Sequence, residues 1–137
     1  MGTHAEVWFH DGTHPNEGTP NKPIVFYQHY DGYNIQHVVA DALFAGQDRW
    51  NDPPYLARII FTHMIKQNPY DETLGFGISH NWGCADDQHI VKVFSRYNED
   101  TYIRYREEDY TPERFMRQFS PMYRERFLNA DEKAWVA

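Results

Sequence analysis

The sequence predicts a single α+β domain built on a small, mainly antiparallel sheet. Three observations favour this fold class. Apolar and polar residues alternate over residues 3 to 10, apolar residues recur at helical spacing between residues 35 and 64, and β-branched and aromatic residues are frequent in residues 89 to 106. In chain order they give β-β-α-α-β-β-β-α. This means about five strands, two amphipathic helices on one face of the sheet and a C-terminal helix.

The first half of the chain supplies two strands and both amphipathic helices. Residues 3 to 10 have the period of a half-buried strand, and residues 24 to 27 are a second strand rich in β-branched and aromatic side chains. Between them, residues 11 to 22 contain two glycines and two prolines, which indicates a flexible loop. Two apolar stripes at helical spacing follow, and both should pack on the sheet: Ile35, Val38, Val39, Ala42 and Leu43, then Leu56, Ile59, Ile60 and Met64.

The turn before the first helix has the residues of a tight strand-to-helix connection. Gly32 is expected to adopt a positive φ, which glycine does without steric cost, and Asn34 is expected to cap the helix. Gly46 should end this helix, and Asp52 with Pro53 should begin the next.

The second half of the chain predicts three strands and a helical end. Residues 74 to 79 form a short strand, and residues 89 to 97 and 100 to 106 flank Asn98 and Glu99 as the arms of a hairpin. Thr111 and Pro112 begin a C-terminal helical segment that covers residues 111 to 137. Residues 1 to 137 are long enough to bury one core, so one domain is expected.

Composition narrows the compartment and the partners. The chain has one cysteine, Cys84, which excludes an intramolecular disulfide and favours a reducing cytoplasm. No stretch approaches the apolar length of a membrane span, so no membrane association is expected. There are 20 acidic and 13 basic residues, giving a net charge of −7, and no basic stripe stands out. Direct binding to nucleic acid would therefore lack its main electrostatic contribution.

One short motif points to a known family. The start Met1-Gly2-Thr3 and the run Tyr27, Gln28, Tyr30, Asp31, Gly32 and Tyr33 resemble a family of small uncharacterised bacterial and phage proteins. Members of that family begin with MGTR or similar and carry a tyrosine followed by DGYP between a strand and a helix. The resemblance implies a phage-borne gene and the same α+β arrangement, and it implies no activity or catalytic residue.

A cluster in the second half has the chemistry of metal ligands. His80, Cys84 and His89 supply imidazole and thiolate groups, which bind zinc or iron. Their spacing matches no established zinc motif, and the intervening Asn81, Gly83, Asp86 and Asp87 are typical of a turn between strands. We therefore expect neither a metal at these residues nor any other cofactor.

The leading functional hypothesis is a non-enzymatic accessory protein that binds a host or phage macromolecule, with a protein partner favoured. An acidic, tyrosine-rich surface would carry the binding, and the candidate residues surround the predicted turn: Tyr27, His29, Tyr30, Asp31 and Tyr33. The alternatives are a metal-dependent or acid/base enzyme using His80, Cys84 and His89, a small-ligand binder with a pocket between helices and sheet, and a virion structural protein. Self-association is a further option. If phage-encoded, the protein would act in the host cytoplasm.

Overall fold

The computed structural model describes residues 4–11, 23–29, 32–66, 75–80, 85, 87–97 and 99–127. It shows an α+β fold in which helices pack on a mixed sheet of six strands. The order across the sheet is β3-β2-β1-β4-β5-β6. The strands are β1 (Ala5–His10), β2 (Ile24–Gln28), β3 (Phe76–Ser79), β4 (Ile90–Phe94), β5 (Tyr102–Tyr105) and β6 (Glu108–Tyr110).

The α+β class is confirmed, but the strand count and order differ from the prediction of five strands. β1 and β4 pair in parallel at the centre of the sheet, whereas every other neighbouring pair is antiparallel. β6 is the additional strand. It follows β5 after only Arg106 and Glu107, which lack the glycine or asparagine that normally marks so short a turn.

Within the described residues, four α-helices accompany the sheet. They are α1 (Ile35–Ala45), α2 (Pro53–Ile65), α3 (Pro112–Phe119) and α4 (Pro121–Phe127). The C-terminal helical segment is thus two helices, and the chain after Phe127 lies outside the described residues. The element order is ββααββββαα, again with one strand and one helix more than expected.

The helices begin and end at the predicted residues, but Asn34 and Asp52 make no side-chain capping hydrogen bond, so their predicted capping role is wrong. Thr111 accepts a hydrogen bond from the backbone N–H of Arg114 at 3.1 Å, so it caps α3 through its side chain. Proline occupies the first turn of α2 and of α3. Gly32 differs from expectation. It begins a short 3-10 helix (Gly32–Asn34), whose backbone is right-handed, so the predicted left-handed turn at this glycine is wrong.

The core lies between the helices and one face of the sheet. The strands contribute residues such as Val7, Phe9 and Val93, and α2 contributes Ile60. These side chains are almost completely buried, as alternation in the strands and helical spacing in α1 and α2 require. Ile59 is only partly buried at the edge of the core.

Polar contacts fix the connection between α1 and α2 against the end of the hairpin. The carbonyl of Trp50 accepts a hydrogen bond from the buried hydroxyl of Ser95 at 2.7 Å, and Thr101 Oγ1 lies 2.8 Å from the same oxygen. The indole of Trp50 donates to the carbonyl of Leu43 at 2.9 Å. Within the described ranges, no helix has the length and apolar character to cross a lipid bilayer.

Candidate functional site

The sheet face opposite the helices carries several aromatic and cationic side chains of the kinds that bind other molecules. In each strand the residues that alternate with core residues lie on this second face, which we call the open face. Val25 and Ile90 are buried there although neither belongs to the core cluster. Around them lie aromatic and cationic side chains, most of them half-buried: Trp8, His10, Tyr27, Lys92, Phe94, Tyr102 and Arg104.

Three aromatic rings form a stack across β1, β4 and β5. His10 stacks on Phe94 with 4.3 Å between ring centroids, and Phe94 stacks on Tyr102 at 4.5 Å, with planes within 9° of parallel. The guanidinium carbon of Arg96 lies 5.2 Å from the centroid of Tyr102, and that of Arg104 lies 5.5 Å from Phe94. Both contacts are within cation–π range. The ring faces are therefore largely occupied by one another and by arginine.

The environment of the stack changes the protonation of His10. Burial lowers the pKa of His10 below its usual value, and the positive charges of Lys92 and Arg104 lower it further, while Asp11 acts in the opposite direction. His10 is consequently held as a neutral aromatic ring near pH 7, which suits its place in the stack.

A cavity of about 410 Å³ opens on the same face beside the stack. Three positively charged side chains and one carboxylate surround it, with Ile90 at its apolar part. Arg104 is oriented by a bidentate contact to Asp109, whose two carboxylate oxygens lie 2.7 and 3.2 Å from Nε and one terminal nitrogen of Arg104. This contact lowers the pKa of Asp109 and raises that of Arg104, so both stay charged. The lining residues of this cation cleft are Gln88, Ile90, Lys92, Arg104, Arg106 and Glu107.

Glu6 lies next to the cleft and is buried on the open face. One of its carboxylate oxygens accepts a hydrogen bond from the Trp8 indole at 2.7 Å, and the other accepts from the backbone N–H of Ala85 at 3.3 Å. The Lys92 ammonium lies 4.7 Å from the centre of the Trp8 ring. Glu6 therefore contacts the indole at its N–H group, and Lys92 contacts its ring face. These two contacts fix the position of the Trp8 ring beside the cleft.

The predicted binding residues Tyr27 and His29 lie on the open face at its other side. The ring of His29 lies against Gly75, and its backbone N–H donates to the carbonyl of Gly75 at 2.9 Å. His29 Nδ1 is 3.3 Å from Nε2 of His4, its cross-strand neighbour. Tyr27 contacts His29 edge to face at 5.3 Å and covers Gly77. The two glycines that weaken β3 are therefore where rings from β2 pack on the backbone.

Of the other predicted binding residues, the structure describes Tyr33, which is not part of this group. Tyr33 is exposed and packs edge to face on His89 at 4.8 Å, at the end of the sheet near the start of β4. Tyr30 and Asp31 lie outside the described residues. A continuous binding surface formed by all five residues stays a prediction.

The structure separates two of the three proposed metal ligands. His80 follows β3 at the level of Ile24, whereas His89 precedes β4 at the level of Ala5. Three strand spacings and four residues along the strands place their backbones about 20 Å apart. Cys84 lies outside the described residues, and among those that are described no three His, Cys, Asp or Glu side chains cluster in a way that could hold a metal.

The sequence analysis does not predict the cation cleft. In the last third of the sequence acids are interleaved with the arginines, so no local group of cations stands out, and Arg104, Arg114 and Arg117 do pair with carboxylates. The signal that could have found the cleft is the alternation within two adjacent strands. Lys92 and Arg104 each lie between two core residues, and so share the face away from the core.

Comparison with known proteins adds no assignment, because no protein-family model, no curated protein and no solved structure matches this chain. The resemblance to the phage and bacterial family with the DGYP motif stays a prediction.

Proposed function

We propose that this chain is a non-enzymatic binding protein that recognises an acidic segment of a protein partner on its open sheet face. The observation that carries the proposal is the cation cleft, where Lys92, Arg104 and Arg106 surround one cavity in a protein of net charge −7. Such a local concentration of positive charge attracts a partner of opposite sign and sets its orientation.

The arrangement of the aromatic rings favours a protein ligand over a nucleic acid. Single-stranded nucleic acids bind proteins by stacking bases on free aromatic faces. Here the faces of His10, Phe94 and Tyr102 contact one another or arginine. The carboxylates of a peptide can bind through the cations alone and require no free aromatic face.

The energetics predict a moderate, salt-sensitive interaction. Arg104 is about half exposed and already paired with Asp109, so its contribution is that of a surface pair. Exposed ion pairs contribute roughly 0.2 to 1 kcal/mol each, and salt screens them further. Three such pairs supply about 0.6 to 3 kcal/mol by the same figures. The remainder must come from apolar contact with half-buried groups such as Trp8 and Phe94.

A labelled ten-residue peptide rich in Glu and Asp is a direct probe. We expect saturable binding by fluorescence anisotropy that weakens as NaCl rises from low to physiological ionic strength. Lys92→Met with Arg106→Gln should weaken binding about tenfold, which corresponds to about 1.4 kcal/mol. Met keeps the unbranched stem that packs at Trp8, and Gln retains length at Arg106 without the charge.

Arg117 gives the matched control. It is exposed on α3, in the helical layer, where Arg117→Gln with Lys66→Met removes the same two charges without touching the open face. Equal weakening by both double variants would show that net charge alone drives binding, and would refute the proposal. An unchanged affinity in the Lys92→Met, Arg106→Gln variant would also refute the proposal.

The volume of the cleft supports a second candidate function, binding of a small polyanionic metabolite. A cavity of about 410 Å³ falls in the range of small-molecule sites. Native mass spectrometry of the purified protein distinguishes the two candidates. A bound small anion that inorganic phosphate or citrate displaces, and that the variant of the cleft lacks, would favour the metabolite over the peptide.

A further inference from the structure

His4 and His29 form a cross-strand pair at the edge of the open face that the proposed function does not use. Ala5 on β1 pairs with Gln28 on β2, so His4 and His29 are the next pair along the same two strands. Their rings meet edge to face with centroids 4.9 Å apart, and Nδ1 of His29 lies 3.3 Å from Nε2 of His4.

This nitrogen–nitrogen distance matches the separation of two imidazole nitrogens bound to one tetrahedral metal ion. Two zinc–imidazole bonds of about 2.0 to 2.1 Å, meeting at the tetrahedral angle, place their nitrogens about 3.3 to 3.4 Å apart. A square-planar ion with similar bond lengths would require about 2.8 to 3.0 Å between neighbouring nitrogens, so the pair suits tetrahedral zinc better. Without metal the same contact is a hydrogen bond in which one imidazole carries the proton.

The surrounding residues hold the His29 ring in this position. A Cβ on Gly75 would lie 1.6 Å from Cδ2 of His29, so only glycine leaves room for the imidazole against β3. Tyr27 closes the adjacent side with an edge-to-face contact at 5.3 Å. His29 is nevertheless exposed, so an ion can reach the nitrogens from solvent. A ring fixed before binding loses less entropy when it coordinates.

We propose that His4 and His29 are the two protein ligands of an exchangeable zinc site on the open face. Water, or a carboxylate or imidazole of another molecule, would occupy the remaining coordination positions. The site uses neither Cys84 nor His89 and differs from a resident structural zinc, which usually has four protein ligands. It is also independent of the cation cleft, which lies across β1 at β4 and β5.

Titration of the full chain with Zn²⁺ tests this site, with binding followed by calorimetry and by the backbone amide NMR signals of residues 4 and 29. One equivalent is expected to bind, with shifts centred on those signals. His4→Gln and His29→Gln should each weaken zinc binding about tenfold or more, because even the loss of an outer hydrogen bond to a zinc ligand costs tenfold to a hundredfold. His80→Gln removes an exposed histidine from the far end of β3 and should leave the affinity unchanged.

Gly75→Ala provides a second variant in which both ligands remain. Its Cβ must displace the His29 ring, so the affinity for zinc should fall although neither histidine is changed. Circular dichroism and the thermal midpoint without zinc confirm that each variant folds. An unchanged zinc affinity in either His4→Gln or His29→Gln, or an equal loss of affinity in His80→Gln, would overturn the proposal. Because the peptide probe does not involve these histidines, its failure would leave this result intact.

Discussion

Arg106 and Glu107 place two ordinary residues in a backbone conformation that favours glycine. Their φ angles are 51° and 65°, and together they form the two-residue turn between β5 and β6. Positive φ at both central positions is the hallmark of a type I′ turn, whose twist matches that of the flanking strands. The turn keeps Arg106 and Glu107 at the edge of the cation cleft, so the strained residues are also lining residues.

Glu107→Gly should stabilise the protein for this reason. A left-handed conformation costs a residue with a Cβ roughly 1 to 2 kcal/mol, and glycine loses roughly 0.5 to 1 kcal/mol of chain entropy in return. We expect the free energy of unfolding in urea to rise by about 0.5 to 1 kcal/mol from these two figures. Glu99→Gly, in the neighbouring hairpin loop where φ is not positive, should give no gain. Destabilisation by Glu107→Gly would contradict the assigned turn.

At the scale of elements, the sequence predicted what local periodicity determines. The stripes of α1 and α2, the capping of α3 by Thr111 and the alternation of β1 all appear in the structure. Two features could not be read in this way. β6 is three residues long and follows a turn without glycine, and the parallel pairing of β1 with β4 joins segments about eighty residues apart. Pairing of that kind is decided by tertiary packing, which no local pattern encodes.

The same distinction applies to the candidate site. The sequence indicates Tyr27 and His29 because they flank a recognisable turn motif, and their role in binding stays a prediction. The cation cleft is not predictable from sequence, because its members come from β4, β5 and the turn that follows, and only the register brings Lys92 beside Arg104. The proximity of His4 to His29 depends on the register of β1 and β2 in the same way. Residues that meet through strand register cannot be located before the sheet is known.

Adjacent residues of α2 provide a test of how the helix packs. Ile60 is completely buried in the core, whereas Ile59 is half-buried beside Gly46. Ile60→Ala should lower the free energy of unfolding by about 2 to 5 kcal/mol, and Ile59→Ala by clearly less. Urea titration of both variants measures the difference. Equal losses would mean that α2 is rotated relative to the sheet from the orientation described.

A partly buried polar contact joins α1 to the start of α4. Asp41 Oδ1 accepts from the Ser120 hydroxyl at 2.6 Å and from the backbone N–H of Met122 at 3.0 Å. Asp41→Ala should cost about 1 to 2 kcal/mol, because it removes a partner of the buried Ser120 and a cap of α4. Amide exchange in α4 should rise in this variant. Asp48→Ala, at an exposed residue of the same charge, is the control, and comparable losses in the two would refute the capping role.

For the whole molecule, the acidic net charge contrasts with a local group of cations on the open face. The chain is acidic overall, yet the open face gathers Lys92, Arg104 and Arg106 around one cavity. Positive charge also lies near His10, and Lys66 lies near His63 in the helical layer. Both histidines are therefore poor proton acceptors in the folded state, which links the electrostatics of both layers to the pH dependence of stability.

The protein should lose stability as the pH falls below about 6.5, the ordinary pKa of histidine. Burial lowers the pKa of His63, and Lys66 lowers it further against the opposing effect of Asp41, while burial and Lys92 lower the pKa of His10. Above pH 6.5 both imidazoles are neutral in the folded and unfolded states alike. As the pH falls below that value the unfolded chain binds protons first, so unfolding becomes more favourable until the lower folded-state pKa values are reached.

Urea unfolding at pH 7.5 and pH 5.5 measures this effect. We expect a lower free energy of unfolding at pH 5.5 and a smaller difference between the two pH values in the double variant His10→Gln, His63→Gln. Both pH values lie well above the ordinary pKa of aspartate, so Asp109, whose pKa is lowered by Arg104, stays charged and contributes nothing to the difference. A pH dependence of undiminished size in the double variant would assign the loss of stability to other groups.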